Sequence, residues 1–234
     1  MLKIGHRGAA GTTPENTEAS FREALKRKVD MVEFDVRLTK DGKLVVFHDS
    51  DLSRICNEDV AVSMLTLKEL KKYDVGSWYN SNYFDEKIVT LQEVINIIGT
   101  KAGYNIEIKI EGSEREEAAI KLINLIDGEG IEDMCVVTSF DFKIIKRIKE
   151  LAPHIKTGVI LEEECEDWER ILEVTGADGI SVNYKFLSEE IVKKIKSRKK
   201  FVYTWTVNDS YEIKKIKKLK VDGIISDYPA LLKD

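Results

Sequence analysis

Short apolar runs of strand length recur along the chain, each separated from the next by a longer stretch whose apolar positions repeat with helical spacing. The strand-type runs fall at residues 3–6, 31–37, 104–110, 135–140, 156–160, 179–183, 201–207 and 223–226. Between them, amphipathic segments at 17–28, 91–98, 114–126, 141–151, 168–174, 188–197 and 210–219 predict helices, several opened by a Ser, Thr or Asp of N-cap type. This alternation predicts an α/β fold, a (β/α)8 TIM barrel forming one domain over residues 1–234. One segment breaks the rhythm. After the second run, Lys40-Asp41-Gly42-Lys43 signals a hairpin, and residues 44–48 return as an antiparallel strand that has no place in a parallel barrel and must rise from its rim. With Asp41-Gly42 as the central turn residues, cross-strand pairing puts Asp35 opposite His48. Residues 50–89 then carry two short patterned stretches and an aromatic run including Trp78, Tyr79 and Tyr83. That is far beyond the usual βα connection of about 2–6 residues, so the segment is predicted to form a small inserted cap that walls one side of the barrel mouth.

Composition narrows the class. The 234 residues are 43% hydrophobic and 34% charged with only three prolines, which suits a packed domain and argues against disorder. The net charge is −5 with both signs interspersed, so no basic face is available for a phosphate backbone and nucleic acid is excluded as the expected partner. Cys56, Cys135 and Cys165 make no CxxC pair, which fits a reducing compartment. The first residues lack the apolar core of a secretory signal, and no later stretch approaches about 18 apolar residues. The expectation is therefore a cytoplasmic protein without a membrane span, a monomer or homodimer.

Candidate chemistry gathers on the second and third barrel strands. Glu33 and Asp35 alternate with Val32, Phe34 and Val36, so both carboxylates share one face, roughly 7 Å apart at Cα. The apolar set suits the helix layer, which directs the acids toward the barrel axis, where unpaired charge costs several kcal/mol. Asn105, Glu107 and Lys109 alternate in the same way with Ile106, Ile108 and Ile110. Three converging carboxylates without a Cys or His cluster are hard oxygen donors, suited to one divalent cation, Mg²⁺ or Ca²⁺; the competing reading is a set of ion pairs with Arg37 and Lys109. Two of the three histidines, His6 and His48, end strands at the rim where catalytic groups of this fold collect. A single imidazole in such a place is usually structural, but two beside three carboxylates, Arg7 and Lys109 are much harder to explain in that way. His154, in a surface connection after Pro153, is left outside the site.

His6-Arg7-Gly8, Pro14-Glu15-Asn16-Thr17, Glu33-Phe34-Asp35, Val46-Phe47-His48-Asp49 and Glu107-Ile108-Lys109, in this order and spacing, resemble the glycerophosphodiester phosphodiesterase family, a branch of the phospholipase-C-like phosphodiesterase barrels. The resemblance extends through Asp51-Leu52-Ser53-Arg54, Thr66-Leu67-Lys68-Glu69-Leu70, Thr138-Ser139-Phe140 and Thr204-Trp205-Thr206-Val207-Asn208, nearly the whole chain. It implies Glu33, Asp35 and Glu107 as metal ligands, His6 and His48 as the acid–base pair, and Arg7 and Lys109 as phosphate clamps. Two departures lie in the insertion. Ile55 and Glu58 stand where an Arg-Thr-Thr-Asn-Gly stretch would have Thr and Gly, and Val89 replaces a Pro before Thr90-Leu91. Around the site, Glu15 and Asn16 are candidate supports, with helix capping the alternative for Asn16. Phe140 and Trp205 are candidates for packing the glycerol carbons.

These residue types suit the reaction on independent grounds. A phosphodiester monoanion repels nucleophiles and has a poor leaving group, so cleavage needs charge neutralisation at the phosphoryl oxygens and proton transfer at both ends. Cations supply the first and two imidazoles, which titrate near neutral pH, the second. The implied activity is metal-dependent hydrolysis of small glycerophosphodiesters to sn-glycerol 3-phosphate and an alcohol. The rivals are a lysophospholipase-D-like phosphodiesterase, a non-catalytic phosphodiester-binding barrel, and a two-carboxylate glycosidase in which the histidines would be idle.

Overall fold

The computed structural model describes residues 1–110 and 112–233. Strands β1 (Leu2–Gly5) and β2 (Met31–Leu38) are followed by the short β3 (Leu44–Val46) and, in the insertion, by β4 (Asp51–Leu52) and β5 (Glu58–Ala61). Six further strands complete the sheet: β6 (Gly103–Ile108), β7 (Cys135–Ser139), β8 (Lys156–Leu161), β9 (Gly179–Asn183), β10 (Phe201–Trp205) and β11 (Gly223–Ser226). β1, β2 and β6 to β11 pair in parallel in that order, and β1 pairs with both β2 and β11, which closes an eight-stranded barrel. Each predicted barrel strand is present. The helices are α1 (Glu18–Lys26), the one-turn α2 (Ser53–Cys56) and α3 (Leu67–Leu70) of the insertion, then α4 (Leu91–Ile98), α5 (Arg115–Glu129), α6 (Phe142–Leu151), α7 (Trp168–Thr175), α8 (Glu189–Ser197) and α9 (Ser210–Lys218). All seven predicted barrel helices form; after β11 the outer layer is completed by a single 3₁₀ turn, Pro229–Leu232.

The alternation along the strands builds the two layers of core. Val32, Phe34, Val36, Ile106 and Ile108 pack outward against Phe21, Leu91, Val94 and Leu122 of the surrounding helices, all buried. Inward-pointing Ile4, Met31, Val136, Tyr203 and Ile225 plug the floor of the barrel. The plug needs a missing side chain at Gly179, where a Cβ would lie 2.3 Å from the Phe201 ring. Several helix starts are fixed by side chains as expected: Thr17, Asp141, Ser188 and Asp209 each accept a backbone N–H in the first turn, and Thr90 makes a reciprocal capping box with Glu93.

The hairpin after β2 differs from the expectation by one residue. Val36 pairs with Val46, Arg37 with Val45 and Leu38 with Leu44, and Thr39 N donates to Lys43 O at 2.9 Å. The loop is therefore the three residues Lys40, Asp41 and Gly42, closed by a turn in which Gly42 N donates to Thr39 O and Gly42 takes φ 68°, the three-residue hairpin form with glycine in the left-handed position. Asp35 consequently meets Phe47, whose N–H donates to Asp35 O at 3.0 Å, and not His48. The pairing of β3 ends at Val46 and the chain bends at residues 48–50, and this bend, rather than the ladder, turns the His48 imidazole to the site.

Residues 50–89 carry a hydrophobic cluster of their own, in which Leu52, Ile55, Val62, Leu70, Val75 and Ile88 pack against Val45 and Phe47. The first departure from the family pattern, at Ile55 and Glu58, is accommodated here, whereas Val89 packs in the main barrel core. Ile55 fills this cluster at 8% exposure. The left-handed residue of the α2–β5 connection is Asn57, at φ 57°, a conformation asparagine tolerates, so Glu58 is free to begin β5.

Candidate active site

The C-terminal rim of the barrel brings the predicted carboxylates together. Asp35 on β2 pairs in register with Glu107 on β6, and Glu33 lies two residues down the same face. One oxygen from each of the three lies within 4.8 Å of the others, and the residues are 3%, 1% and 9% exposed for Glu33, Asp35 and Glu107. Three acids this close in a dry site repel one another. Burial, reinforced by Asp35 and Glu107, pushes Glu33 up to about 8, and burial and Asp35 raise Glu107. Asp35 goes the other way: against the cost of burial, Arg7, Lys109 and His48 hold it down to about 2.

The cations that hold this group are those named from the sequence. Arg7 donates its backbone N–H to Glu33 Oε2 at 2.9 Å, and its Nε lies 3.3 Å from Asp35 Oδ2. Lys109 Nζ lies 3.4 Å from Asp35 Oδ1 and pairs with Glu107 Oε1. Arg37 instead donates to the carbonyls of His48, at 2.9 and 2.7 Å, and Lys109, at 3.1 Å, fastening the hairpin's end to β6. Arg7 sits in a loop of positive φ (47°) next to Gly8 (φ 89°), where a Cβ would lie 2.4 Å from Ser20 Oγ. Ser20 Oγ accepts from Ala9 N and donates to Arg7 O, so the loop is wrapped on the first helix.

The donor set fits a divalent cation. Glu33 Oε1, Asp35 Oδ1 and Glu107 Oε1, one oxygen of each carboxylate, are buried without a well-directed hydrogen bond; the latter two face only the Lys109 ammonium. Orphaned buried carboxylate oxygens are costly, and all-oxygen donors are what Mg²⁺ or Ca²⁺ takes.

Both imidazoles reach this site, each with a carboxylate behind it. His6 follows β1, with Nε2 3.8 Å from Glu33 Oε2 and Nδ1 2.6 Å from Asp227 Oδ1. Asp227, just past β11, is held in turn by Asn208 Nδ2 at 2.5 Å. His48 Nδ1 lies 2.6 Å from Asp49 Oδ1. An ionised carboxylate only accepts, so in both rings Nδ1 carries the hydrogen and Nε2 is the exchanging atom. Burial lowers both imidazoles. At His6 Glu33 and Asp227 overcome it and the net shift is upward; at His48 Asp35 does not, with Arg7 and Lys109 adding to burial, and the net shift is downward.

Thr17 caps the first helix, whereas Asn16, at φ 59°, donates to Asp35 Oδ2 at 2.8 Å and turns its Oδ1 toward Asp35 N at 3.4 Å. Glu15 accepts from Arg7 Nη1 at 2.8 Å. Phe140 and Trp205 meet edge to face at 5.9 Å, and Lys109 Nζ lies 5.3 Å from the Phe140 ring centre. His6, Arg7, Glu33, His48, Glu107, Lys109, Phe140 and Trp205 line one cavity of about 380 Å³. His154 pairs with Asp127 on the surface, away from it.

The insertion does not wall this cavity as expected, for none of its described lining residues falls in 50–89. Ser50, Ala61, Val62 and Ser63 line a neighbouring space of about 430 Å³ that shares Lys109 and Phe140 with it. The aromatic run turns toward the loop before α1, where Tyr79 and Tyr83 donate to the carbonyls of Gly11 and Thr12 at 3.1 and 3.4 Å. Sequence reasoning missed Asp227, Asn208, Asp49 and Arg54 as parts of the site. Asp49, Arg54 and Asn208 lie in stretches that carry the family resemblance, which was their available signal, while Asp227 had only its place just after the last strand.

The Glycerophosphoryl diester phosphodiesterase family matches residues 6–231. A glycerophosphodiester phosphodiesterase of Caldanaerobacter subterraneus is 36% identical, with 99% of this chain and 96% of that protein covered, and one from Bacillus subtilis is 32% identical, with 99% and 85% covered. Among solved structures, an Oleispira antarctica phosphodiesterase in complex with the product sn-glycerol-3-phosphate matches with a TM-score of 0.93 at 32% identity, over 98% of this chain and 94% of that one. With the fold, the order of the motifs and these relatives in agreement, the chain belongs to the glycerophosphoryl diester phosphodiesterase family of phosphoric diester hydrolases.

Proposed function

We propose that this protein hydrolyses small glycerophosphodiesters, such as glycerophosphocholine or glycerophosphoethanolamine, to sn-glycerol 3-phosphate and the free alcohol. The observation that carries the reading is the buried carboxylate trio, one oxygen of each within 4.8 Å of the others, flanked by two imidazoles whose Nδ1 atoms rest on aspartates. Glu33, Asp35 and Glu107 would hold one divalent cation, Mg²⁺ or Ca²⁺. When bound, it neutralises charge on the phosphoryl oxygens as a Lewis acid. Arg7 and Lys109, already drawn to the same carboxylates, present cationic donors to the non-bridging oxygens.

His6 and His48 divide the proton transfers at Nε2: one takes the proton of the nucleophile, either water or the glycerol 2-hydroxyl whose cyclic phosphate water then opens, and the other gives one to the departing alkoxide. Asp227 and Asp49 keep each ring in that tautomer and stabilise it when charged. The edge-to-face pair of Phe140 and Trp205 offers an apolar wall for the glycerol carbons. The relative crystallised with sn-glycerol-3-phosphate supports the choice of product. The test is incubation of the purified protein with glycerophosphocholine, glycerophosphoethanolamine and lysophosphatidylcholine, each with Mg²⁺ or Ca²⁺, and identification of both products. Release of sn-glycerol 3-phosphate with the free alcohol is expected. Turnover of the lysolipid alone moves the assignment to the lysophospholipase-D-like rival, and turnover of none removes it.

A further inference from the structure

The two imidazoles are anchored to different parts of the molecule. His6 is held by Asp227 and Asn208, which lie beside barrel strands β11 and β10. His48 is held by Asp49, and Asp49 is held by Arg54, the second residue of α2 in the insertion: Arg54 Nε donates to Asp49 Oδ2 at 2.6 Å. The same guanidinium spans Glu15, with Nη2 2.6 Å from Oε1 and Nη1 3.1 Å from Oε2. Glu15 in turn accepts from Arg7. The insertion's Trp78 covers the guanidinium, its ring centre 5.5 Å from Arg54 Cζ.

We infer that Arg54 is a positioning residue: from the insertion it fixes the carboxylate behind the His48 ring and the carboxylate behind the Arg7 guanidinium, so that docking of residues 50–89 sets the geometry of both groups. A planar fork with five donors is needed to serve two carboxylates at once, and a lysine has no equivalent geometry. Arg54 touches neither the metal-binding carboxylates nor the cavity, so it acts only through Asp49 and Glu15. Asp49 and Glu15 are held below the usual carboxylate range with Arg54 contributing, against the cost of burial. They are therefore charged and able to orient their partners. The insertion thereby affects catalysis without lining the cavity.

The inference rests on the proposed phosphodiesterase reading, and the experiment separates the two. Turnover of glycerophosphocholine is measured for the wild type, Arg54→Ala, Arg54→Lys, Asp49→Ala, the double variant Arg54→Ala/Asp49→Ala, and Tyr79→Phe, which removes a contact between insertion and barrel outside this chain. Arg54→Ala and Arg54→Lys should each lower kcat by about 10–30-fold, and the double variant should be little worse than Asp49→Ala. Millimolar guanidinium should restore a measurable part of the loss in Arg54→Ala and nothing in Asp49→Ala. Titration calorimetry with Mg²⁺ or Ca²⁺ should give the wild-type affinity for Arg54→Lys, and Tyr79→Phe should stay within about twofold in kcat. If Arg54→Ala does not fold, Arg54→Lys carries the test. Wild-type kcat in Arg54→Lys, or multiplying losses in the double variant without guanidinium rescue, overturns the positioning role. An inactive wild type overturns the phosphodiesterase reading instead.

Discussion

The His6 arm and the His48 arm of the site, proposed to share one acid–base cycle, rest on unlike foundations. Behind His6 stand Asp227, just past β11, and Asn208, in the loop after β10, where Asn208 Oδ1 also accepts from Ser226 Oγ and Asp227 N at 3.1 and 2.9 Å. Behind His48 stand Asp49 and Arg54, in a bend and a one-turn helix supported by the small cluster around Leu52 and Leu70. A barrel strand is hydrogen-bonded on both sides and buried on both faces, so a residue at its end inherits the rigidity of the whole sheet. A short helix in an inserted segment has only local packing behind it, and such segments open at lower free energy than the fold as a whole. The difference teaches that, of the two proposed proton-transfer groups, one belongs to the fold and the other to an attachment, which makes the second the easier to modify.

The largest effect that would probe this symmetry of function is loss of either ring. His6→Ala and His48→Ala should each lower kcat by about 10²–10⁴-fold with the fold intact, and because both serve one cycle the double variant should be far less impaired than the product of the singles. Simple multiplication of the losses would mean that the two do not share a cycle. One step back, Asp227→Asn and Asp49→Asn should each cost about 10–100-fold in kcat. The distinction between arms should appear on warming: the Asp49→Asn loss grows as the insertion loosens, whereas the Asp227→Asn loss stays constant until the barrel unfolds.

Leu70→Ala attacks the foundation of the His48 arm alone. Leu70 is fully buried in the insertion's own cluster, and the cavity left behind should cost about 2–5 kcal/mol. Hydrogen exchange should quicken across residues 50–89 with β9 to β11 unchanged, and activity should fall before global unfolding. Uniform acceleration over the whole chain would show that the insertion and the barrel open as one unit.

The smallest effect is electrostatic. Asp74 accepts from Gly76 N, Ser77 N and Ser77 Oγ, and these bonds outweigh burial to hold its carboxyl at about 2, against 3.8 when free. A depressed carboxyl stabilises the folded state above its unfolded value and loses that contribution as pH falls toward its folded value. Between pH 5 and pH 3 the turn at 74–77 should therefore loosen more in the wild type than in Asp74→Ala, read as protection of the Gly76 and Ser77 amides. Equal loosening would assign the effect to other carboxyls.

What was legible in the sequence follows the same divide. The barrel strands announce themselves because burial on both faces demands continuous apolar runs, and Glu33, Asp35 and Glu107 stand out as charges placed where such runs forbid them. The hairpin register is not legible because Asp-Gly signals a two-residue turn while Gly42 closes a three-residue one, and a shift of one residue exchanges His48 for Phe47 opposite Asp35. His48 still reaches the site because the chain bends after Val46, which no periodicity records. Asp227, Asn208 and Arg54 were hidden for another reason. Their roles depend on side chains that meet only when the barrel closes or the insertion docks, and Arg54 and Glu15 are separated by 39 positions. The aromatic run of the insertion suggested a wall for the mouth, but it packs on the loop before α1.

The central claim, that the carboxylate trio works by holding a divalent cation, is tested most directly by stripping the protein with a chelator and following release of sn-glycerol 3-phosphate from glycerophosphocholine. Turnover should vanish on stripping and return on readdition of Mg²⁺ or Ca²⁺ with a stoichiometry of about one ion per chain, and Glu33→Gln and Glu107→Gln should weaken that ion's binding. Full turnover by the stripped protein, or undiminished ion binding in both variants, would contradict the account.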